Sequence, residues 1–322
     1  MNVFDPYELS SRSPNHLSYG GLDRDTITRE RVDCFDFVLK LPETKIVPVW
    51  RSRNLFSKTG EIGEIPKPAY LSTIEGAELL KIANNLVYLG KQKGESNLIS
   101  YLAVDISCLD ENTAISKLDA WGKFADLREI SPLIGGVEGS ILAYARAMMF
   151  WHNRTAFCSV CGYSTIAIKG GHQRNCSDKR CASLHFPRTD PAVIMLVHDR
   201  DKILLGRQKI WPDGLYSTLA GFVEPGESVE HAVAREVFEE TGIIVKNINY
   251  RYSQPWPFPS SLMLGFNAEA YTKKIIFNDK EIEDAQWFTK EDILNFEMKG
   301  KFLPRKLSVS RRLIEEWIYE TS

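Results

Sequence analysis

The 322-residue chain contains no run of 18 apolar residues, so it offers no segment able to cross a bilayer as a helix. Its opening stretch, MNVFDPYELSSRSPNH, has no apolar core of the kind a secretory leader needs, and the closing YETS matches no recognised address. From these absences the chain is expected to be cytoplasmic. Charge of one sign is missing too: a formal net charge of −2 argues against a protein-wide electrostatic hold on nucleic acid, though not against a local basic patch. No internal repeat or low-complexity tract stands out, which excludes repeat architectures. Cysteine is scarce except in one place. Of six cysteines, four (Cys158, Cys161, Cys176 and Cys181) fall in one short segment, and Cys34 and Cys108 stand alone as small apolar residues.

Composition is that of a soluble globular chain, with 43% hydrophobic and 25% charged residues, and the length suggests about two domains. Residues 1–30 read as an irregular arm. Between 31 and 130, β-like runs at 36–41, 45–50, 86–89 and 98–106 alternate with helical spacing at 74–84 and 113–127, which predicts a mixed α/β scaffold without a catalytic constellation. The segment 139–152 predicts a helix apolar on more than one face, packed between domains. Further on, 192–197 predicts a buried strand with 202–207 as its hairpin partner across a polar turn at 199–201. Strands follow at 243–252, 262–271 and 285–288, and a helix at 308–319. Strands separated by helices indicate a mixed sheet covered by helices.

Between these strands, residues 221–243 read GFVEPGESVEHAVAREVFEETGI, with six glutamates and one arginine. Helical spacing puts Glu236, Glu239 and Glu240 in one arc of about 100°. Like charges at i,i+4 repel by roughly 0.2–0.5 kcal/mol per pair, so such a cluster is unfavourable unless a cation shares it. Carboxylate oxygens suit the hard ions Mg²⁺ or Mn²⁺. Ser228 is placed to cap the helix and Gly242 to stop it in a left-handed turn. An acidic solvated helix face is the bland alternative.

The four clustered cysteines are spaced C-x2-C and C-x4-C, and Gly170-Gly171 mark a turn between the pairs. In a reducing compartment this spacing predicts a structural Zn²⁺ held by a knuckle-like ribbon, one ion per subunit. A closed shell of four thiolates leaves no position for water, so the ion would brace the fold. Oxidation-sensing thiols, or His172 or His185 in place of one sulfur, remain alternatives.

A third feature is SQPWPFPSS at 253–261. If it is extended, Trp256 and Phe258 point to one face as an aromatic platform for a planar ring. A segment that merely packs, or docks on a partner domain, fits the same residues.

The acidic box resembles, at Gly221, Glu227, Arg235, Glu236, Val237, Glu239, Glu240, Gly242 and Ile243, the signature of the Nudix hydrolases. With the cysteine cluster before it and S-Q-P-W-P-F-P-x-S after it, the chain resembles the NudC-type NADH pyrophosphatases within that superfamily. The resemblance implies an α/β/α Nudix sandwich with a mixed sheet over 188–322. It implies a zinc ribbon over 153–187 and an N-terminal mixed α/β domain over 1–152. It also implies hydrolysis of the NADH or NAD⁺ pyrophosphate to nicotinamide mononucleotide and AMP, removal of an NAD cap from RNA in some members, and a homodimer.

Carried onto this sequence, Glu236, Glu240, Glu281 and the carbonyl of Ala220 would bind Mg²⁺ or Mn²⁺. Glu227 and Arg235 would orient the helix, and Glu239 is a weaker candidate for general base or further ligand. Gln254, Pro255, Trp256, Pro257, Phe258, Pro259, Ser260 and Ser261 would form the nucleotide wall, with Phe186 and Ser310 as further substrate contacts. Phe186 stands where the family commonly has tyrosine, and Ser310 where it has alanine. A Nudix hydrolase acting on ADP-ribose or a dinucleoside polyphosphate, and a non-catalytic nucleotide or RNA-binding module, are the competing readings.

Overall fold

The apolar runs at 45–50 and 192–197 are both strands covered on two faces, each at the centre of its own sheet. A computed structural model of the chain describes residues 15–18, 20–58, 65–94, 97–277 and 281–320. The chain divides into two compact units: residues 1–188 with Pro257–Ser260, and Thr189–Trp256 with Ser261–Ser322. No helix among the described residues is long and apolar enough to cross a membrane.

In the first unit a five-stranded mixed sheet runs in the order Asn85–Lys93, Leu98–Asp105, Thr44–Trp50, Arg53–Phe56, Lys123–Ala125. Ile46, Tyr88, Leu102 and Val104 pack with the helices Cys34–Leu39, Ala77–Ile82 and Glu111–Leu118. Their neighbours Val47, Val87 and Ala103 point to the opposite face and are equally buried. Helix Gly136–Arg154 packs on this sheet.

Three expectations need correction here. The run at 36–41 is not a strand but the end of helix Cys34–Leu39, because Cys34 and Val38, four apart, share the one buried stripe. The helix expected at 74–84 is confined to Ala77–Ile82. The helix expected at 113–127 stops at Leu118, and Lys123–Ala125 is a strand, its Phe124 paired with Leu55. Pairing with a distant strand overrides local helical spacing there. Of the irregular arm, residues 1–14 and 19 lie outside the described residues, and Thr26–Arg29 forms one helical turn.

The cysteine segment is a three-stranded antiparallel ribbon of Thr165–Ile168, Gln173–Cys176 and Leu184–His185, turning at Gly170-Gly171. It belongs to the first unit, where a buried polar knot holds it. The Arg174 guanidinium donates to the Thr165 hydroxyl and carbonyl at 2.7 and 2.9 Å, to Asn85 Oδ1 at 3.0 Å and to His152 Nδ1 at 2.6 Å. His152 therefore carries its proton on Nε2, which donates to the Gly171 carbonyl at 2.8 Å.

Burial, opposed by the Gly171 carbonyl and reinforced by Arg174, lowers the His152 pKa to about 4. An unfolded histidine takes its proton near 6.5, so as pH falls the unfolded chain is protonated first. The stabilisation is complete above about 6.5 and drains away as pH drops towards 4, by up to about 3 kcal/mol. Urea unfolding at pH 7 and pH 4.5 should show this loss in the native protein, and a smaller one in His152→Gln.

In the second unit the sheet order is Val245–Trp256, Ser261–Ala270, Asp190–Asp199, Lys202–Gln208, Ile282–Thr289, with Leu219–Phe222 also paired to Asp190–Asp199. Asp190–Asp199 runs parallel to Ser261–Ala270 and antiparallel to Lys202–Gln208, so the sheet is mixed. Val193, Met195 and Val197 pack with Val233 and Val237 of helix Val229–Thr241 on one face. Ile194 and Leu196 pack with Leu313, Ile314 and Trp317 of helix Val309–Glu320 on the other. The period-two alternation of one strand thus fixes a helix–sheet–helix sandwich.

Candidate active site

Strand Leu219–Phe222 turns through 223–228 into helix Val229–Thr241, which carries the clustered carboxylates. Ser228 caps the helix, its hydroxyl accepting from the His231 amide at 3.2 Å. Gly242 ends it at φ 68°, its amide donating to the Phe238 carbonyl at 2.8 Å.

Arg235 organises the acids around it. Its Nε and Nη2 donate to the two carboxylate oxygens of Glu227 at 2.8 and 2.9 Å. Nη1 donates to Glu236 and to Glu239, each at 2.9 Å, and Nη2 also reaches the Phe222 carbonyl at 2.9 Å. This two-pronged grip holds the Glu227 carboxyl down at about 2. Glu227 also accepts from the Glu224 amide at 3.1 Å, which ties the loop to the helix.

Glu236 is pulled the other way. Burial raises its pKa, Arg235 lowers it, and the charges of Glu239 and Glu281 raise it again. Its carboxylate lies directly against the strand: a Cβ at Gly221 would sit 1.8 Å from Glu236 Cδ. Position 221 can therefore carry no side chain while Glu236 keeps its place. Glu281 accepts from Gln208 Nε2 at 2.8 Å.

Glu240 is 3% exposed and lines a cavity of about 210 Å³ together with Ala220, Gln208, Trp211, Gln254 and Trp256. The structure thus links Glu227, Arg235, Glu236 and Glu239 in one hydrogen-bonded group, with Glu281 acting on Glu236 through charge. Ala220 and Glu240 share the cavity. Carboxylate and carbonyl oxygens are donors of the kind a hard divalent cation takes.

The proline–aromatic segment is not one extended face. Pro255 and Trp256 pair with Leu262 and Ser261, and the strand ends at Trp256. Pro257–Ser260 then turns, so Phe258 does not continue the face on which Trp256 lies. Within the first unit, the Phe258 ring faces the guanidinium groups of Arg128 and Arg146 at 4.7 and 4.8 Å, and Arg146 Nε donates to the Pro257 carbonyl at 2.7 Å.

Gln254, expected as a substrate contact, lines the cavity and is also held by the protein. Its Nε2 donates to the Leu307 carbonyl at 2.8 Å and its Oε1 accepts from the Val309 amide at 2.9 Å. Ser310 is 1% exposed, and its hydroxyl bonds the Thr218 amide and the Ser217 and Thr218 hydroxyls. Its neighbours Ser308 and Val309 line the cavity. Phe186 is 61% exposed in the first unit. Sequence reasoning missed Trp211, Gln208 and Thr218 as cavity residues; only the W-P-D-G turn, which puts a large aromatic ring in a loop, hinted at the first.

In the ribbon the four Sγ atoms of Cys158, Cys161, Cys176 and Cys181 all lie within 4.8 Å of one another. Cys158 and Cys181 are 3.8 Å apart and Cys161 and Cys176 3.3 Å, near the roughly 3.8 Å that four sulfurs at about 2.3 Å from a tetrahedral ion require. Burial raises the Cys158 thiol, but the Val160 and Cys161 amides and the His185 side chain outweigh it and bring it to about 6. His172 points elsewhere, its Nε2 bonded to the Tyr88 carbonyl at 2.7 Å, while His185 touches Cys158 from outside the four grouped sulfurs. The arrangement is compatible with zinc.

The family described as the NUDIX domain matches residues 188–312. The human NAD-capped RNA hydrolase NUDT12 is 46% identical over 193 residues, covering 56% of this chain and 42% of that protein. The NAD-capped RNA hydrolase of Schizosaccharomyces pombe is 38% identical over 266 residues, covering 73% of this chain and 70% of that protein. The NAD-capped RNA hydrolase NudC of Mycobacterium bovis is 38% identical over 214 residues, covering 63% of this chain and 68% of that protein. The chain spans less than half the length of the human relative.

Proposed function

From the premise that the chain belongs to the NudC-type Nudix hydrolases, we propose that it hydrolyses the pyrophosphate of NADH or NAD⁺, free or as the 5′ cap of an RNA. The products are the nicotinamide mononucleotide and AMP, or AMP as the new 5′ end of the RNA. The observation that carries this reading is the placement of the Glu236 carboxylate over Gly221, in the acidic helix whose Glu240 lines the cavity.

Glu236, Glu240, Glu281 and the Ala220 carbonyl are the groups to hold Mg²⁺ or Mn²⁺. Such ions supply the positive charge that a diphosphate and these carboxylates both need, and they make water a better nucleophile. The chain's own residues do the positioning. Arg235 and Glu227 fix the rotation of the helix, Gly221 admits the Glu236 carboxylate, and Gln254 ties the Trp256 strand to the segment before the last helix. Trp256 gives the cavity a flat apolar wall suited to an aromatic ring. In the ribbon, Cys158, Cys161, Cys176 and Cys181 would hold Zn²⁺ as a structural brace.

Incubation of the protein with NADH and Mg²⁺ or Mn²⁺, followed by chromatography, should yield equimolar reduced nicotinamide mononucleotide and AMP, and a chelator should stop the reaction. Intact NADH beside cleaved ADP-ribose would refute the assignment. The same assay separates the two readings weighed for the sequence.

A further inference from the structure

A serine hydroxyl carries one proton and two lone pairs, so its hydrogen bonds can be counted. The Ser310 hydroxyl, buried in the first turn of helix Val309–Glu320, accepts twice: from the Thr218 amide at 3.1 Å and from the Thr218 hydroxyl at 2.8 Å. Both lone pairs are then used. Its own proton goes to its third partner, the Ser217 hydroxyl oxygen, at 2.8 Å. The count leaves Ser217 with a proton that Ser310 has no lone pair to receive. No other hydrogen bond among the described residues engages the Ser217 hydroxyl.

The backbone of Ser217 is fixed. Its amide donates to the Gly206 carbonyl and its carbonyl accepts from the Gly206 amide, each at 2.9 Å. Ser217 lines the cavity with Trp211, Ala220, Glu240 and Trp256, whereas Ser310 stands behind it. Ala220 follows three positions later, so at about 3.3 Å per residue Ser217 lies up to about 10 Å from the Ala220 end. A diphosphate held at that end puts a base, and not a phosphate, within reach of Ser217. Aromatic walls grip a ring by its faces and leave its rotation open; a donor at the edge of the ring sets it.

We propose that Ser217 contacts the substrate, donating its hydroxyl proton to a neutral acceptor on the edge of a base, and that Ser310 is a positioning residue that aims this proton into the cavity. The proposal rests on the hydrolase reading. Ser310 does so by filling both of its lone pairs from Thr218, which makes it a donor and never an acceptor towards Ser217. Without that hydroxyl the Ser217 proton would rotate freely, and part of its orientation would be lost on each binding event.

The test uses Ser217→Ala, Ser310→Ala and the double variant, with KM and kcat for NADH in Mg²⁺ and a melting curve for each. Ser217→Ala should raise KM about fivefold, the size of one neutral hydrogen bond, with the loss carried by KM and not by kcat. Ser310→Ala should raise it about threefold, and the double variant no further than Ser217→Ala alone. Ser217→Ala leaves the Thr218 amide its acceptor, so it tests the contact even if Ser310→Ala melts early. Calorimetric binding of AMP and of reduced nicotinamide mononucleotide to the native protein and to Ser217→Ala identifies the base: the product whose affinity falls carries the acceptor. Unchanged affinity for both products would overturn the contact. Multiplying losses in the double variant would overturn the positioning role, since Ser310 would then act independently of Ser217. If the native protein leaves NADH intact, it is the hydrolase reading that falls, and product binding still decides Ser217.

Discussion

Glu240→Gln should lower NADH turnover by about 10³-fold or more while leaving the thermal midpoint unchanged or slightly raised. The reasoning starts from volume and charge. Glutamine fills the same space at a site that is 3% exposed, so the packing of helix Val229–Thr241 is kept. What disappears is one acidic group beside other carboxylates, and on the proposed reading its loss relieves repulsion while removing a ligand of the divalent ion. Stability and activity should therefore part company. Glu239 offers a comparison, since its side chain is 51% exposed and bonded to Arg235. Glu239→Gln should cost about tenfold, not a thousandfold, if its role is secondary. Steady-state assays on both variants, with a melting curve for each, check the pair. Full turnover by Glu240→Gln would remove the metal assignment.

Arg235→Ala should damage fold and reaction together. One guanidinium serves Glu227, Glu236, Glu239 and the Phe222 carbonyl, and its removal leaves Glu227, whose side chain is 14% exposed, without the partner that holds its carboxyl near 2. Breaking a fully buried ion pair from one side costs about 3–5 kcal/mol, and the solvent access here reduces that to about 2–3 kcal/mol. Turnover should fall by about 10²-fold, because Glu236 loses its rotational support. Arg235→Lys should recover part of the stability and little of the activity, since an ammonium group cannot form the fork with Glu227 while reaching two further carboxylates. Chemical denaturation and kinetics on both variants measure this. A lysine variant with native kinetics would show that the fork geometry is dispensable.

The parts of this architecture legible from sequence were those encoded locally. The acidic helix announced its start at Ser228 and its stop at Gly242, and both caps are in place. The hairpin of Asp190–Asp199 with Lys202–Gln208 followed from an apolar run, a polar turn and a second run. Strand Lys123–Ala125 was hidden because three residues become a strand only through pairing with 54–56. Strand Leu219–Phe222 was hidden for a similar reason: its glycine and short apolar residues make sense only beside Asp190–Asp199. Within the site, residue types were readable but their partners were not. Gln254 and Ser310 were read as substrate contacts from the motif; that their polar groups also bond segments more than 50 positions away in the chain was not legible. No local pattern reports such a contact. The Trp211 loop as a cavity wall was hinted at only by its turn, since residues around Phe302 hold it in position.

The close approach at Gly221 also constrains how this corner can change over generations. Adding a single carbon at 221 forces the Glu236 carboxylate to retreat, and the same carboxylate is tethered to Arg235 at 2.9 Å. Any side chain at 221 thus pushes the flexible end of Glu236 aside and loads its tie to Arg235.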